Sequence, residues 1–221
     1  MSYPKDSARA HVVFDNDGTM INSLQNFYDL IDQILSTHMG RTVSKEEVKE
    51  AYVPDWHQLL INLGVENPTN DFIQGIIDDL NEINKDYLPP LVPGTIEFIK
   101  RLHDLKIATY VWTGRDKHSG MQIFNGLGLT SLFHDMQFRD TSIAKPHPEG
   151  LELMLGDVEK SKIVLIGDSE VDIKGAKAFG IKCVIVDWFG DCHHESLHEE
   201  GAEQIFDCHD KLLTWLVDNL D

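Results

Sequence analysis

The hydrophobic positions of this 221-residue chain follow two rhythms. Short apolar runs rich in β-branched residues lie near 11–15, 107–112, 162–166 and 181–186. Such runs predict strands buried on both faces, as in a parallel sheet. Between them the spacing becomes helical. Ile96, Ile99, Leu102 and Leu105 share one face of a helix over 94–105, and 147–155 and 170–179 read the same way. Gly180 is a natural stop for the last of these. A weaker strand near 203–206 and a helix near 209–219 close the pattern. Strands alternating with helices predict an α/β core whose parallel sheet is covered on both faces.

Residues 21–88 break the alternation. They hold no convincing strand, but show helical patterns at 22–39, 44–52, 55–63 and 70–87, punctuated by Gly40, Pro54, Gly64 and Pro68. Ser44 followed by Glu47 predicts a capping box. The stretch Pro89-Pro90-Leu91-Val92-Pro93-Gly94 marks the return to the sheet. The expected organisation is a core domain of 1–20 and 89–221, with an all-helical insertion, 21–88, over the strand ends. Its two linkers make a hinge feasible.

Charge narrows the partners. Thirty-seven acidic residues against 19 basic ones give a formal charge of −18. Such a surface repels nucleic acids and anionic membranes, but a local cation with backbone N–H groups can still hold a small anion. The three cysteines, Cys183, Cys192 and Cys208, form no paired framework. Met1 to Ala10 lack a signal-like apolar stretch, and no apolar run approaches a membrane span. The expectation is a soluble, cytoplasmic protein. Cys183, in an apolar strand, reads as a small core residue. Asp191, Cys192, His193 and His194, with His198, Cys208 and His209, hint at zinc, but their spacing matches no structural zinc pattern and a solvated loop is the better reading.

Chemistry gathers where strands end. Val12-Val13-Phe14 runs into Asp15-Asn16-Asp17-Gly18-Thr19, two carboxylates at the carboxyl end of a buried strand, where open α/β sheets bind ligands. Crowding two acids there is costly unless a metal or a proton-transfer task requires it. One can be a nucleophile while its neighbour handles protons. Thr113-Gly114-Arg115 follows the second strand and offers a hydroxyl and N–H donors to an anion. Lys145, within Ala144-Lys145-Pro146-His147-Pro148, suits a point-charge contact with phosphate. Gly167-Asp168-Ser169-Glu170-Val171-Asp172 brings two more acids from a strand end. Asp15, Asp168 and a backbone carbonyl are hard oxygen donors of the kind Mg²⁺ prefers. Each signal alone has an ordinary reading as a turn, a helix cap or a solvated lysine. Their accumulation at strand ends argues for a site.

In this order the four motifs resemble those of the haloacid dehalogenase superfamily, over nearly the whole chain. The long helical insertion resembles the cap of the subgroup containing phosphoglycolate phosphatases and β-phosphoglucomutases. The resemblance implies a Rossmann-like core and a Mg²⁺-dependent phosphatase acting on a small phosphorylated metabolite, phosphoglycolate-like or sugar-phosphate-like, as a monomer or homodimer. A phosphomutase is the nearest alternative, and a non-catalytic binding protein on the same fold a more distant one. Asp15 would be the nucleophile that forms an aspartyl-phosphate. Asp17 would be the general acid and base, with its backbone carbonyl on Mg²⁺. Thr113 and the Gly114 N–H would hold phosphoryl oxygens, and Lys145 would neutralise charge. Asp168 would ligate Mg²⁺ directly and Asp172 mostly through water. Trp56 and His57 fall where related caps present a specificity loop, although Trp56 could simply pack the insertion. Arg115 would contact the leaving group or form a surface ion pair. The insertion has four Lys/Arg against twelve acids, no evident clamp for a second anion, which weighs against phosphoglycolate or a bisphosphate.

Overall fold

The computed structural model describes residues 7–53, 55–84, 88–190 and 194–220. Along the chain come β1 (Ala10–Phe14), α1 (Ser23–Met39), α2 (Lys45–Ala51), α3 (Trp56–Asn62), α4 (Asn70–Asn84), α5 (Thr95–Asp104), β2 (Ile107–Trp112), α6 (Lys117–Gly126) and β3 (Asp135–Gln137). There follow α7 (Glu149–Leu155), β4 (Ile163–Gly167), α8 (Glu170–Phe179), β5 (Lys182–Val186), α9 (His194–Glu200), β6 (Ile205–Phe206) and α10 (His209–Asn219). They form two compact units, 1–22 with 91–221, and 23–90.

The first unit is a parallel six-stranded sheet in the order β3-β2-β1-β4-β5-β6. Side chains alternate across it, as a period of two requires. Val12 and Phe14 of β1, with Val164 and Ile166 of β4, join an apolar cluster containing Phe98, Leu102 and Leu212. Val13 and Leu165 face the other cluster, with Leu151, Met154 and Ile173. Burial of both faces explains why these strands are continuous apolar runs in sequence. Cys183 is a buried member of the second cluster. Register aligns the strand ends, with Phe14 opposite both Val111 and Ile166. The residues after them, Asp15, Thr113 and Asp168, therefore leave the sheet on one side, where the strand order turns from β2 to β4 about β1.

Three elements were not anticipated. β3 has only three residues, none fully buried, and exists by pairing with the edge of β2. α6 is started by Asp116, whose carboxylate accepts the Ser119 N–H at 3.0 Å, a cap hidden by the polar run that follows. α9 buries only Leu197, so its helical spacing carries little signal. The helix expected over 70–87 is described to Asn84, and 85–87 lie outside the described residues.

The second unit packs α1 to α4 around Ile31, Leu35, Val48, Leu59, Leu60 and Ile76. Ser44 accepts the Glu47 N–H at 3.1 Å, half of the expected capping box. The Glu47 carboxylate instead takes two bonds from Arg41, at 2.6 and 3.1 Å, because a guanidinium is the stronger partner.

Candidate active site

Lys145 is the centre of the polar cluster. Its Nζ donates to Asp15 Oδ1 at 2.7 Å and to Asp172 Oδ1 at 2.6 Å. The three side chains are 6%, 9% and 2% exposed, so the charges meet in a nearly dry environment. Below them the Trp112 ring lies 4.7 Å from the ammonium, a favourable cation–π approach. Asp172 Oδ2 accepts the Ser169 hydroxyl at 2.7 Å and its N–H at 3.3 Å. Both oxygens of Asp172 are thus engaged, which fixes its orientation at the start of α8.

Asp168 completes the group. Asp15, Asp168 and Asp172 each offer an oxygen, and these lie within 4.8 Å of one another. Gly18 makes the approach possible, since a Cβ there would lie 2.0 Å from Asp168 Oδ2. Its φ of +76° is also one that side-chain-bearing residues rarely adopt. Burial raises Asp15 to about 7, with Asp172 and Asp17 adding to the rise and Lys145 opposing it. Burial, then Asp15 and Asp172, push Asp168 well above the usual carboxylate range. Burial opposes charge on Lys145, but Asp15 and Asp172 outweigh it and raise its pKa. Burial acts first on the two acids, and their mutual repulsion adds to it: three carboxylates share one ammonium, and the surplus negative charge seeks a cation. An oxygen-only donor set with that surplus fits a divalent ion such as Mg²⁺.

Asp17 points elsewhere. Arg115 grips it with both arms of its fork, Nε to Oδ2 at 2.7 Å and Nη2 to Oδ1 at 2.5 Å, and Asn16 Nδ2 donates to Oδ2 at 3.2 Å. Burial disfavours the Arg115 charge, but its bonds to Asp17 outweigh this and raise its pKa. Arg115 therefore forms an ion pair, as one of its two readings had it, yet inside the site. Thr113 is buried and its Oγ1 accepts the Arg115 N–H at 3.1 Å, which shapes the turn. Gly114 is exposed and lines a cavity of about 580 Å³ with Asp15, Asp17, Arg115, Lys145, Asp168 and Asp172. Arg139, Ser169 and Val171 line the same cavity and were not singled out from the sequence. Arg139 follows the unanticipated β3 and belongs to no motif. Ser169 lay inside one, but only the α8 geometry shows its bond to Asp172.

Trp56 and His57 belong to the helical unit. Trp56 is half-buried, its ring 5.9 Å from that of Phe27, while His57 is exposed. Pro54, in the expected specificity loop, lies outside the described residues, as do Asp191, Cys192 and His193. His194 bonds to Asp187 at 2.7 Å, and His209 stacks on Trp188 at 4.4 Å. No helix among the described residues is long and apolar enough to cross a membrane.

A model of the haloacid dehalogenase-like hydrolases matches residues 12–186. The chain belongs to that family of hydrolases. It is 25% identical over 220 residues to a phosphoglycolate phosphatase of Pseudomonas savastanoi pv. phaseolicola, covering 94% of this chain and 79% of that one. It is 26% identical over 183 residues to the pyrophosphatase PpaX of Bacillus cereus, covering 80% and 82%. A crystal structure of a HAD family hydrolase from Deinococcus radiodurans, with bound phosphate and sodium, superposes with a TM-score of 0.79. That pair is 18% identical, and 95% and 96% of the two chains are covered.

Proposed function

We propose that this protein is a Mg²⁺-dependent phosphatase that hydrolyses a small phosphorylated metabolite through an aspartyl-phosphate on Asp15. The observation that carries the reading is the ammonium of Lys145 bridging Asp15 and Asp172 in a dry pocket, with Asp168 alongside. A structural ion pair needs one carboxylate per cation, whereas this one leaves surplus charge facing a cavity. Family membership and the phosphatases among the relatives point the same way.

Asp15, Asp168 and the Asp17 backbone carbonyl would hold the ion, with Asp172 behind them. Bound there, it supplies charge neutralisation of the phosphoryl oxygens. Asp15 attacks phosphorus and forms a P–O bond as the bond to the leaving oxygen breaks. Asp17 gives its carboxyl proton to that oxygen. It then takes a proton from water, whose oxygen displaces Asp15 and releases inorganic phosphate. Lys145 offsets the repulsion between the Asp15 carboxylate and an anionic phosphoryl group. Arg115 faces both Asp17 oxygens and sets the direction of that carboxyl group, so proton transfer requires the pair to loosen at one oxygen. The helical unit acts as the cap, with Trp56 and His57 contributing to substrate selection.

Phosphate release from a chromogenic aryl phosphate, with Mg²⁺ and with EDTA, tests the reading. Asp15→Asn should keep the fold and abolish turnover, and wild-type rates in that variant refute the assignment. Asp17→Asn should reduce turnover about 10²- to 10⁴-fold, the range of a general acid or base.

A further inference from the structure

We propose that Trp112 is a positioning residue for Lys145: its indole face, locked between α7 and α8, backs the ammonium and fixes where Lys145 meets the phosphoryl group. This rests on the phosphatase reading and deepens it, since Trp112 acts on the reaction only through Lys145.

Trp112 ends β2 and is the largest fully buried side chain among the described residues. Two glycines make its slot. A Cβ on Gly150 of α7 would lie 2.5 Å from the indole Nε1, and a Cβ on Gly175 of α8 would overlap its Cη2. These atoms stand at opposite ends of the ring system, so backbone stops the indole at both ends and it cannot tilt. Glycine is the poorest helix former after proline, and the clearance each one gives the ring is a physical reason for its presence. The Lys145 loop rests on the same two positions. The Gly150 Cβ would come within 3.0 Å of Ser142 Oγ, and the Gly175 Cβ within 3.4 Å of the Pro146 carbonyl oxygen. Ring and loop are therefore packed as one unit.

Lys145 Nζ lies 4.7 Å from the ring centroid. The lysine side chain is 6% exposed and Trp112 1%, so little water weakens the attraction. By contrast, Lys182, 5.6 Å from the Trp215 ring, has a side chain 45% exposed. The two carboxylates that Lys145 bridges do not both keep their charge through the reaction. Once Asp15 has bonded to phosphorus, its oxygen belongs to an acyl phosphate and pulls less on the ammonium. Asp172 and the ring then hold Lys145 from the protein side. The ring's pull is the one that the chemistry at Asp15 leaves unchanged.

The test places mono-, di- and trifluorotryptophan at position 112 of the full chain by site-specific incorporation. Fluorine draws negative charge from the ring face and leaves its shape nearly unaltered. With p-nitrophenyl phosphate and Mg²⁺, kcat should fall stepwise along the series, to about tenfold below the unmodified protein, while KM and Tm stay nearly constant. The same series at Trp215 should leave kcat unchanged. Trp112→Leu should lower kcat by about 10- to 100-fold, and Trp112→Phe, which keeps a smaller face, should recover part of it. A flat series at position 112, or a folded Trp112→Leu protein as active as Trp112→Phe, overturns the positioning role alone. Absence of Mg²⁺-dependent turnover in the unmodified protein overturns the phosphatase reading, and this role with it.

Discussion

Gly18→Ala puts a single methyl group between backbone and the proposed metal site. The new Cβ would lie 2.0 Å from Asp168 Oδ2 and 2.7 Å from its Cγ, where ordinary contacts begin at 3.4 Å. The carboxylate must therefore retreat by more than about 1 Å, and metal ligands tolerate only about ±0.2 Å. A shift of that size in a catalytic group lowers rate by about 10²-fold. Loss of a well-placed ligand should weaken Mg²⁺ affinity by at least roughly tenfold. The φ of +76° adds a backbone cost of about 1–2 kcal/mol, roughly 2–8 °C in Tm for a chain of this size. Gly180→Ala separates the two effects. Its φ is +82°, and nothing lies within 4 Å of the added Cβ, so it bears the strain without the clash. The assay is phosphate release over a Mg²⁺ titration, with a thermal melt of each variant. Gly180→Ala should lose stability and keep the wild-type Mg²⁺ dependence. Gly18→Ala should lose stability and need far more Mg²⁺ for a lower maximum. A folded Gly18→Ala protein with the wild-type Mg²⁺ curve would show that Asp168 is no ligand.

Lys145→Met removes the ammonium clustered with Asp15, Asp168 and Asp172, and turnover should fall by about 10²- to 10³-fold, the usual effect of deleting a preorganised stabiliser of charge; single-turnover rates measure it. Arg115→Met frees Asp17 from its bidentate clamp, so kcat should drop more than KM rises on a neutral-tail substrate, with circular dichroism unchanged; equal effects on both would deny Arg115 a positioning role. Without metal, burial pushes the Asp15 carboxyl up to about 7 in the folded protein, well above the ordinary carboxylate range of the unfolded chain. Between these values the folded state holds the extra proton, so the metal-free protein loses stability as pH rises through that window. Mg²⁺ should therefore raise Tm more at about pH 7 than at about pH 5, and a flat or reversed trend in paired melts counts against the shared site.

Much of this arrangement was legible along the chain. β1, β2, β4 and β5 announce themselves because both faces are buried, so their sequences are almost continuously apolar. Asp15 and Asp168 stood out because polar residues directly after such runs have few structural reasons to be there, Asp172 because it lies in the same motif as Asp168, and Lys145 because it sits in a rigid loop just before a helix. β3 was not legible, since three residues with one apolar side chain carry no periodicity. α6 and α9 were missed for a related reason, short helices with few buried positions. Arg139 was invisible because its place depends on β3, and a lone arginine in a loop has no pattern.

The local code, apolar period and strand-end chemistry, determined by itself the α/β class and the acids that follow the carboxyl ends of the central strands. These follow from water exclusion and strand geometry, which act on neighbours in sequence. Tertiary structure alone decided the pairing: that Lys145 takes Asp15 and Asp172 together, and that Arg115 reaches across 98 positions to Asp17. Hydrogen bonds between distant side chains depend on register and close approach to within a few tenths of an ångström, and no local pattern encodes those distances.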